Sequence, residues 1–334
     1  MKYLFELCIF TVILFLYLHI FYQIKTSNDL EVYSIDEPSK DKLEEICNIK
    51  QPIYFKFNND ELKRKCILEN LEEMYGGFDV KIRDNNDDEG IMLPFLLKDA
   101  CVVLQNDKEK RFVSECNNDF LEETGVSKLF QYNDSFLRPS FVSKCNYDFL
   151  TGSLDSKTNL RYNVNYRNYY YITRGSVSVR LIPPTYSKYL YETKDYENLE
   201  FKSPINPWNV QDKYKSNFNK IKSLDIVLNE GTILYIPPYW WYSIKFNKIS
   251  SICVFKYNTF MNTISISPHL LIHFLQKQNI KFNSLKKIVK TTIEENKDLL
   301  DTKPKEISEQ EIQELKANIK DNLENVKEAL KKDK

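Results

Sequence analysis

Histidine is a common ligand of catalytic metals, and this chain contains three: His19, His269 and His273. His269 and His273 lie four residues apart, after a Ser267-Pro268 pair that predicts a helix start, so they share one helix face. That spacing can bind a metal, but no HExxH glutamate stands between the two histidines. Their neighbours are mostly leucine, isoleucine and phenylalanine. This favours ordinary packing or hydrogen bonding over a metal site.

The seven cysteines form no CxxC pair and are widely spaced. An odd number at such spacing disfavours a disulfide framework or a zinc site. Buried free thiols in a reducing compartment are the prediction.

Two further segments have a recognisable order of residues. In the first, residues 158–163 read TNLRYN, 168–175 read NYYYITRG and 181–184 read LIPP. In the second, residues 230–242 read EGTILYIPPYWWY. The glycine, strand, Ile-Pro-Pro and paired tryptophans of the second segment are the most specific part of the pattern.

Together these segments resemble the JmjC and cupin-like 2-oxoglutarate oxygenases. Their first motif is a threonine, an HxD three residues later, an asparagine, a strand, a glycine and a strand ending in Pro-Pro. Their second is a glycine, a strand, Ile-Pro-Pro and Trp-Trp-His. The resemblance spans roughly residues 39–255 and implies a double-stranded β-helix with iron and 2-oxoglutarate inside the barrel.

The resemblance also shows which site residues have changed. It places the first iron-binding histidine at Arg161, the carboxylate at Asn163 and the second histidine at Tyr242. The co-substrate lysine falls on Val177, while Thr158, a co-substrate contact in some members, is retained. No shift of alignment restores a histidine, because the three histidines lie in the N-terminal segment or beyond the last family strand.

These changes remove the metal chemistry. Arginine has no lone pair to offer a metal, and a dication 4 Å from a guanidinium costs roughly 8 kcal/mol at an effective dielectric constant of 20. Asparagine lacks the charge of the carboxylate, and tyrosine is a poor ligand unless ionised. We therefore expect no metal, no cofactor and no catalytic residue at this site.

The three changed residues can still meet inside the barrel. One interpretation is a polar plug in which Arg161 is hydrogen-bonded to Tyr242 and Asn163. The other is an anion or sugar pocket, since a guanidinium suits carboxylate or phosphate. Asn168 and Trp240 are candidate lining residues of such a pocket.

The elements around these motifs are mainly strands. Short aromatic or β-branched runs alternate with turn residues from about 140 to 256, which predicts a sandwich or barrel. Upstream, residues 60–75 carry apolar positions at helical spacing. The predicted fold class is mainly β with flanking helices, a cupin/JmjC-like barrel joined to an N-terminal transmembrane helix and a C-terminal helical tail.

Residues 4–22 form an apolar run long enough to cross a bilayer as a helix. No small-x-small cleavage site follows it, so a single-pass anchor is favoured over a cleaved signal peptide. The flanking positive charges are nearly equal, so the orientation is not readable. We expect a membrane protein contacting the bilayer through residues 4–22.

Three segments follow from this: an anchor at 1–26, a JmjC/cupin-like domain at 27–278 and an amphipathic helical tail at 279–334. In the tail, apolar residues step by three and four from Ile312 to Leu330 on a charged helix. This stripe is expected to pack on its own domain, on a second copy or on a protein partner.

Lysine plus arginine and aspartate plus glutamate both number 47, so no charge excess favours a nucleic acid partner. The favoured function is a membrane-tethered, non-catalytic binding or scaffold protein. The alternative is an Fe(II)/2-oxoglutarate-dependent hydroxylase, or another enzyme, with a rebuilt site. A sensor of anionic ligands is a third possibility.

Overall fold

The computed structural model describes residues 2–85 and 92–279. Contacts separate residues 1–274 from residues 275–334. The α-helices of the first unit that begin and end within the described residues are α1 Lys2–Ile24, α2 Lys40–Cys47, α3 Asp60–Lys65, α4 Leu68–Tyr75, α5 Leu97–Gln105, α6 Asn118–Glu123, α7 Val126–Asn133, α8 Asp212–Phe218 and α9 Phe260–Ser265.

A 3-10 helix spans Pro184–Tyr189. The strands are β1 Tyr33–Ile35, β2 Ile53–Lys56, β3 Asp79–Asp84, β4 Met92–Leu96, β5 Phe112–Ser114, β6 Val142–Gly152, β7 Arg161–Tyr162, β8 Arg167–Arg174, β9 Ser176–Ile182, β10 Thr193–Asp195, β11 Glu200–Lys202, β12 Leu224–Asn229, β13 Thr232–Ile236, β14 Trp241–Phe246 and β15 Ser250–Thr259.

The strands form two sheets. The larger has the order β1-β2-β13-β8-β15-β6-β5-β3-β4 and the smaller β10-β11-β7-β14-β9-β12. All pairs are antiparallel except β1 with β2. Helices contribute substantially to the domain, so the architecture is mixed α/β with two packed sheets. The prediction of a mainly β chain is refined accordingly.

Side chains of the central strands of the larger sheet alternate between its two faces. Along β8, Tyr170 and Ile172 point between the sheets, where they pack with residues of the smaller sheet such as Val179. Tyr169 and Tyr171 point the other way, into a core shared with the helices. One strand therefore contributes side chains both to the interior between the two sheets and to the helix-covered core.

A tight turn joins β8 to β9 at Gly175. Its φ is +89°, a conformation that L side chains rarely adopt. A Cβ atom built there would lie 2.9 Å from the Ser250 Cβ. Glycine is therefore required both by the backbone and by the close approach of β15.

The helix predicted over 60–75 is two helices, because α3 ends before Cys66 and α4 starts at Leu68. At the break, the Cys66 carbonyl accepts a hydrogen bond from Thr173 Oγ1 at 2.6 Å. The Leu68 amide donates to Ser251 Oγ at 2.9 Å. Contacts with the sheet thus replace the hydrogen bonds that a continuous helix would make here.

Helix α1 is the one helix among the described residues that is long and apolar enough to cross a membrane, and its apolar window is fully exposed. A membrane anchor and a signal sequence share this length and composition. Its C-terminal end is tied to the domain, because the Lys50 ammonium donates to the carbonyls of Gln23 at 3.2 Å and Lys25 at 2.9 Å. The same ammonium also donates to the Tyr22 carbonyl. Helix α1 also packs against α9.

A helix begins at residue 267, as the Ser267-Pro268 pair predicts. The predicted tail at 279–334, apart from residue 279, lies outside the described residues.

Candidate functional site

Arg161 and Tyr242, two of the residues singled out by the sequence, lie next to each other at the interior between the two sheets. Arg161 on β7 lies opposite Tyr242 on β14 in the strand register. Its guanidinium carbon lies 5.7 Å from the centroid of the Tyr242 ring. Its Nη2 is 2.5 Å from Glu115 Oε2, in an ion pair whose side chains are 13% and 3% exposed. Arg161 therefore occupies the interior as a paired cation.

Glu115 holds a second arginine as well. Arg83 Nε lies 2.8 Å from Glu115 Oε1, and Arg83 Nη2 lies 2.6 Å from Glu200 Oε1. The side chains of Arg83 and Glu115 are only 2% and 3% exposed. Burial alone would raise the pKa of Glu115, but Arg161 and Arg83 outweigh burial and lower it. The carboxylate is thus shared between two guanidinium groups.

Asp148 and Lys256 extend this cluster along β6 and β15. Asp148 accepts hydrogen bonds from the amides of Cys116, Asn117 and Phe149 at 2.7–3.1 Å. Burial raises the pKa of Asp148, with Lys256 opposing it. Burial alone would lower the pKa of Lys256, but the nearby Tyr242 and Asp148 side chains outweigh burial and raise it.

We call this set the interior charge cluster. It combines three cations with three carboxyl groups, so its formal charges balance. Its members are Arg83, Arg161, Lys256, Glu115, Asp148 and Glu200.

Neutral hydrogen bonds join the other two changed positions. Asn163 Nδ2 donates to the hydroxyl oxygens of Tyr170 at 2.9 Å and Tyr242 at 3.1 Å. The Tyr170 hydroxyl donates to that of Tyr242 at 2.7 Å. Burial, reinforced by Tyr242, raises the pKa of Tyr170 well above its usual value. The predicted plug therefore has a different connectivity, since Asn163 and Tyr242 bond to Tyr170 and Arg161 bonds to Glu115.

The donor set does not fit the iron that the resemblance implies. Arg161 cannot ligate, and the nearest carboxylate, Glu115, is engaged by two guanidinium groups. Within residues 2–85 and 92–279, no three histidine, cysteine, aspartate or glutamate side chains are placed to hold a metal ion.

The two positions at which the resemblance places co-substrate contacts, Thr158 and Val177, belong to the wall of the interior between the sheets. Thr158 Oγ1 accepts a hydrogen bond from the Ile244 amide at 2.9 Å, and its own amide donates to the Ile244 carbonyl. Val177 is fully buried in the apolar part of the interior. At the position where the resemblance places a co-substrate lysine, the chain therefore has a buried aliphatic side chain.

The two candidate lining residues are buried and hydrogen-bonded to backbone. Asn168 Nδ2 donates to the carbonyls of Asn165 and Ile236, each at 3.2 Å. Trp240 Nε1 donates to the Ser27 carbonyl at 3.0 Å. These contacts hold the wall and the segment after α1, and a pocket lined by the two residues stays a prediction.

His269 and His273 both contact Tyr196. His269 Nδ1 lies 3.4 Å from the Tyr196 hydroxyl, and its ring stacks on that tyrosine. His273 Nδ1 lies 2.6 Å from the Tyr196 carbonyl oxygen and donates to it.

The seven cysteines are free thiols.

A cleft of about 350 Å³ opens at the C-terminal end of α1. It is lined by Ile24, Lys25, Thr26, Asn28, Tyr162, Pro184, Ser187, Glu192 and Tyr239. None of these was a predicted site residue. We call it the helix-end cleft.

The partners of Arg161 were also missed by the sequence reasoning. Glu115 is 46 residues away in the chain and follows the short strand β5. One signal was available: a buried arginine requires a carboxylate, and strand alternation places Glu115 on the same face as the buried Val113. The choice among many acidic residues depends on the tertiary fold.

Two packed sheets around a buried interior define the class of protein, and the comparison with protein families agrees. The family model of the cupin-like domain matches residues 69–263, more than half of the chain. The chain belongs to the cupin-like domain family. No curated protein sequence matches the chain.

Proposed function

We propose that this chain is a membrane-anchored, JmjC-type double-stranded β-helix that has lost its iron and 2-oxoglutarate site and acts as a non-catalytic binding or scaffold protein. One observation carries the proposal. At the position where the resemblance places the first iron ligand, Arg161 forms a buried ion pair with Glu115 at 2.5 Å.

The electrostatics support this loss of chemistry. A ferrous ion at this position would lie beside the Arg161 guanidinium, whose charge Glu115 already neutralises, and repulsion between the two cations would oppose its binding. The neighbouring phenol of Tyr170 stays protonated, because its raised pKa disfavours the phenolate that could bind a metal. Glu115 also supplies Arg161 with the counter-charge that an anionic ligand would bring, which disfavours the anion pocket.

The contacts of Lys50 support an uncleaved anchor. Its ammonium is buried against the carbonyls of Tyr22, Gln23 and Lys25 at the end of α1. It also lies 4.2 Å from the centroid of the Tyr22 ring. Burial lowers the pKa of Lys50 to about 8. Cleavage after Gln23 would remove two of the three acceptors, the carbonyls of Tyr22 and Gln23, and a buried cation that loses its acceptors is costly.

The test of lost catalysis uses the full chain in detergent micelles. Fe(II) and 2-oxoglutarate are added without oxygen, unbound metal is removed, and iron is measured by elemental analysis. Oxygen is then admitted and succinate is measured. We expect neither bound iron nor succinate.

The matched control restores the family pattern with Arg161→His, Asn163→Asp and Tyr242→His in one chain. Iron binding by this variant shows that the barrel accepts metal once the ligands are present. Stoichiometric iron in the natural chain would overturn the proposal and favour an oxygenase with a rebuilt site.

The anchor is tested separately by alkaline carbonate extraction of membranes and by the mass of the mature chain. Retention in the membrane with residues 2–24 intact is expected, and release or cleavage of this segment would refute the anchor. The predicted domain limits, 1–26, 27–278 and 279–334, are part of this proposal, with the tail as a protein-binding or self-association segment.

A further inference from the structure

The helix-end cleft contains charges of both signs. Glu192 accepts a hydrogen bond from the Tyr162 hydroxyl, and its side chain is 26% exposed. Lys25 comes one residue after the end of α1. Among residues 2–85 and 92–279, the Lys25 ammonium has no side-chain partner. The cleft therefore offers an anionic group beside an uncompensated cation.

Aromatic rings stand beside the anionic group. The rings of Tyr162 and Tyr239 have centroids 5.9 Å apart and are tilted by 44°. The Tyr162 ring stacks on Phe201 at 5.0 Å and meets the Glu192 carboxylate through its hydroxyl, so the Tyr239 ring supplies the aromatic face for cation–π attraction to a substituted ammonium group. Glu192, whose carboxylate lies 3.8 Å from the half-exposed Lys194 ammonium, would add electrostatic attraction for that group.

The walls of the cleft are held by contacts from the domain. Thr26 Oγ1 donates to the Lys50 carbonyl at 3.0 Å, and Trp241 Nε1 donates to Ser187 Oγ at 2.8 Å. Tyr239 adopts a φ of +65°, which is unusual for a bulky residue, and its amide donates to the Asn163 carbonyl at 2.9 Å. This fixed backbone holds the Tyr239 ring against Tyr162 before any ligand arrives.

We propose that the helix-end cleft binds a phosphoammonium zwitterion, the chemistry of a phosphocholine or phosphoethanolamine headgroup. Glu192, Tyr162 and Tyr239 contact the ammonium, and Lys25 contacts the phosphate. The assignment of a lipid rests on the proposed anchor, because a cleft at the end of a membrane-spanning α1 lies at the depth of the lipid headgroups. A soluble phosphoammonium ester would present the same chemistry.

The test uses the full chain in a sugar-based detergent that contains no phosphate or ammonium. Three probes are titrated, and bound probe is measured by native mass spectrometry: short-chain phosphatidylcholine, short-chain phosphatidylglycerol and soluble phosphocholine. Phosphatidylcholine is expected to bind about tenfold more tightly than phosphatidylglycerol, which has the phosphate but no ammonium.

Two substitutions separate the two halves of the site. Glu192→Gln is expected to weaken phosphatidylcholine about tenfold and to leave phosphatidylglycerol unchanged. Lys25→Gln is expected to weaken both lipids alike. Glu197→Gln, an exposed acid five residues along the chain from Glu192, is the matched control and should change neither.

The outcomes separate this site from the anchor. Equal binding of the two lipids, or binding that does not depend on Glu192, overturns the site even if carbonate extraction confirms the anchor. Glu192-dependent binding of soluble phosphocholine, as tight as that of the lipid, supports the site and assigns it to a soluble ester, including where extraction refutes the anchor.

Discussion

The interior charge cluster and the helix-end cleft are built from the same residue types. Each combines cationic and carboxylate side chains close to tyrosine rings, and both include residues of β7. Arg161 points into the interior from β7, and the adjacent Tyr162 lines the cleft. In the interior the arginine charges are paired within the chain, whereas Lys25 in the cleft is unpaired.

The two regions differ because the interior charges are shielded from solvent and the charges of the cleft are open to it. A buried ion pair is expensive to create and expensive to break, so it fills space and rejects ligands. A charge at an open rim keeps its hydration and contributes little to folding, so it remains available for recognition. The charged groups between the two sheets are thus paired with one another, whereas Lys25 at the rim of the cleft is open to a ligand.

The largest expected effect comes from removing the shared carboxylate. Glu115→Gln leaves Arg161 without its paired carboxylate and Arg83 with Glu200 alone, and should lower the free energy of unfolding by about 3–5 kcal/mol. Urea unfolding of the detergent-solubilised chain measures it. Asp119→Asn, at an exposed pair with Lys81, is the control and should cost at most about 1 kcal/mol. An equal effect of the two would mean that the cluster contributes no more than a surface pair.

The lowered pKa of Glu115 predicts that its contribution to stability is lost at acid pH. Its folded pKa of about 2 lies below the usual 4.5, so its stabilising contribution is complete above about pH 4.5 and is lost as the pH falls toward 2. The difference in unfolding free energy between the natural chain and Glu115→Gln should therefore shrink between pH 5 and pH 3, roughly the upper part of that range. Urea titrations at each pH measure it, and a constant difference would contradict the depressed pKa.

The contrast between the two regions could be anticipated only in part. Arg161, Asn163 and Tyr242 were located by motif spacing, which is local in the chain. Glu115 was not, because its pairing with Arg161 is created by the approach of strands that are distant in sequence. The cleft was missed for the same reason, since it joins the end of α1 to the loop that carries Glu192.

Local patterns were most reliable where periodicity and burial agree. The run 169–172 lies within β8, and its alternation follows from two different buried surroundings. The helix expected at 60–75 is broken between Cys66 and Leu68, because Thr173 and Ser251 offer hydrogen bonds from the sheet. No helical pattern contains that information.

A smaller effect is expected in the neutral part of the interior. Tyr242→Phe removes the oxygen that accepts hydrogen bonds from Tyr170 and Asn163, so a buried hydroxyl loses its acceptor. The expected cost is about 1–2 kcal/mol, measured by urea unfolding. Tyr132→Phe, at a ring that is 79% exposed, is the control and should be neutral. A loss as large as that of Glu115→Gln would show that charge is not what distinguishes the cluster.

The smallest expected effect on stability comes from the substitution of Glu192 in the helix-end cleft. Glu192→Gln keeps a side-chain oxygen that can accept the hydrogen bond from the Tyr162 hydroxyl. The ion pair that it removes is a weak one, because the Glu192 carboxylate lies 3.8 Å from the ammonium of the half-exposed Lys194. The unfolding free energy should change by at most about 1 kcal/mol, although the same substitution is expected to impair binding of a phosphoammonium headgroup. Urea unfolding beside Glu115→Gln tests this, since both variants exchange one glutamate for glutamine. A loss near that of Glu115→Gln would make Glu192 a structural residue and remove the distinction between a closed interior and an open rim.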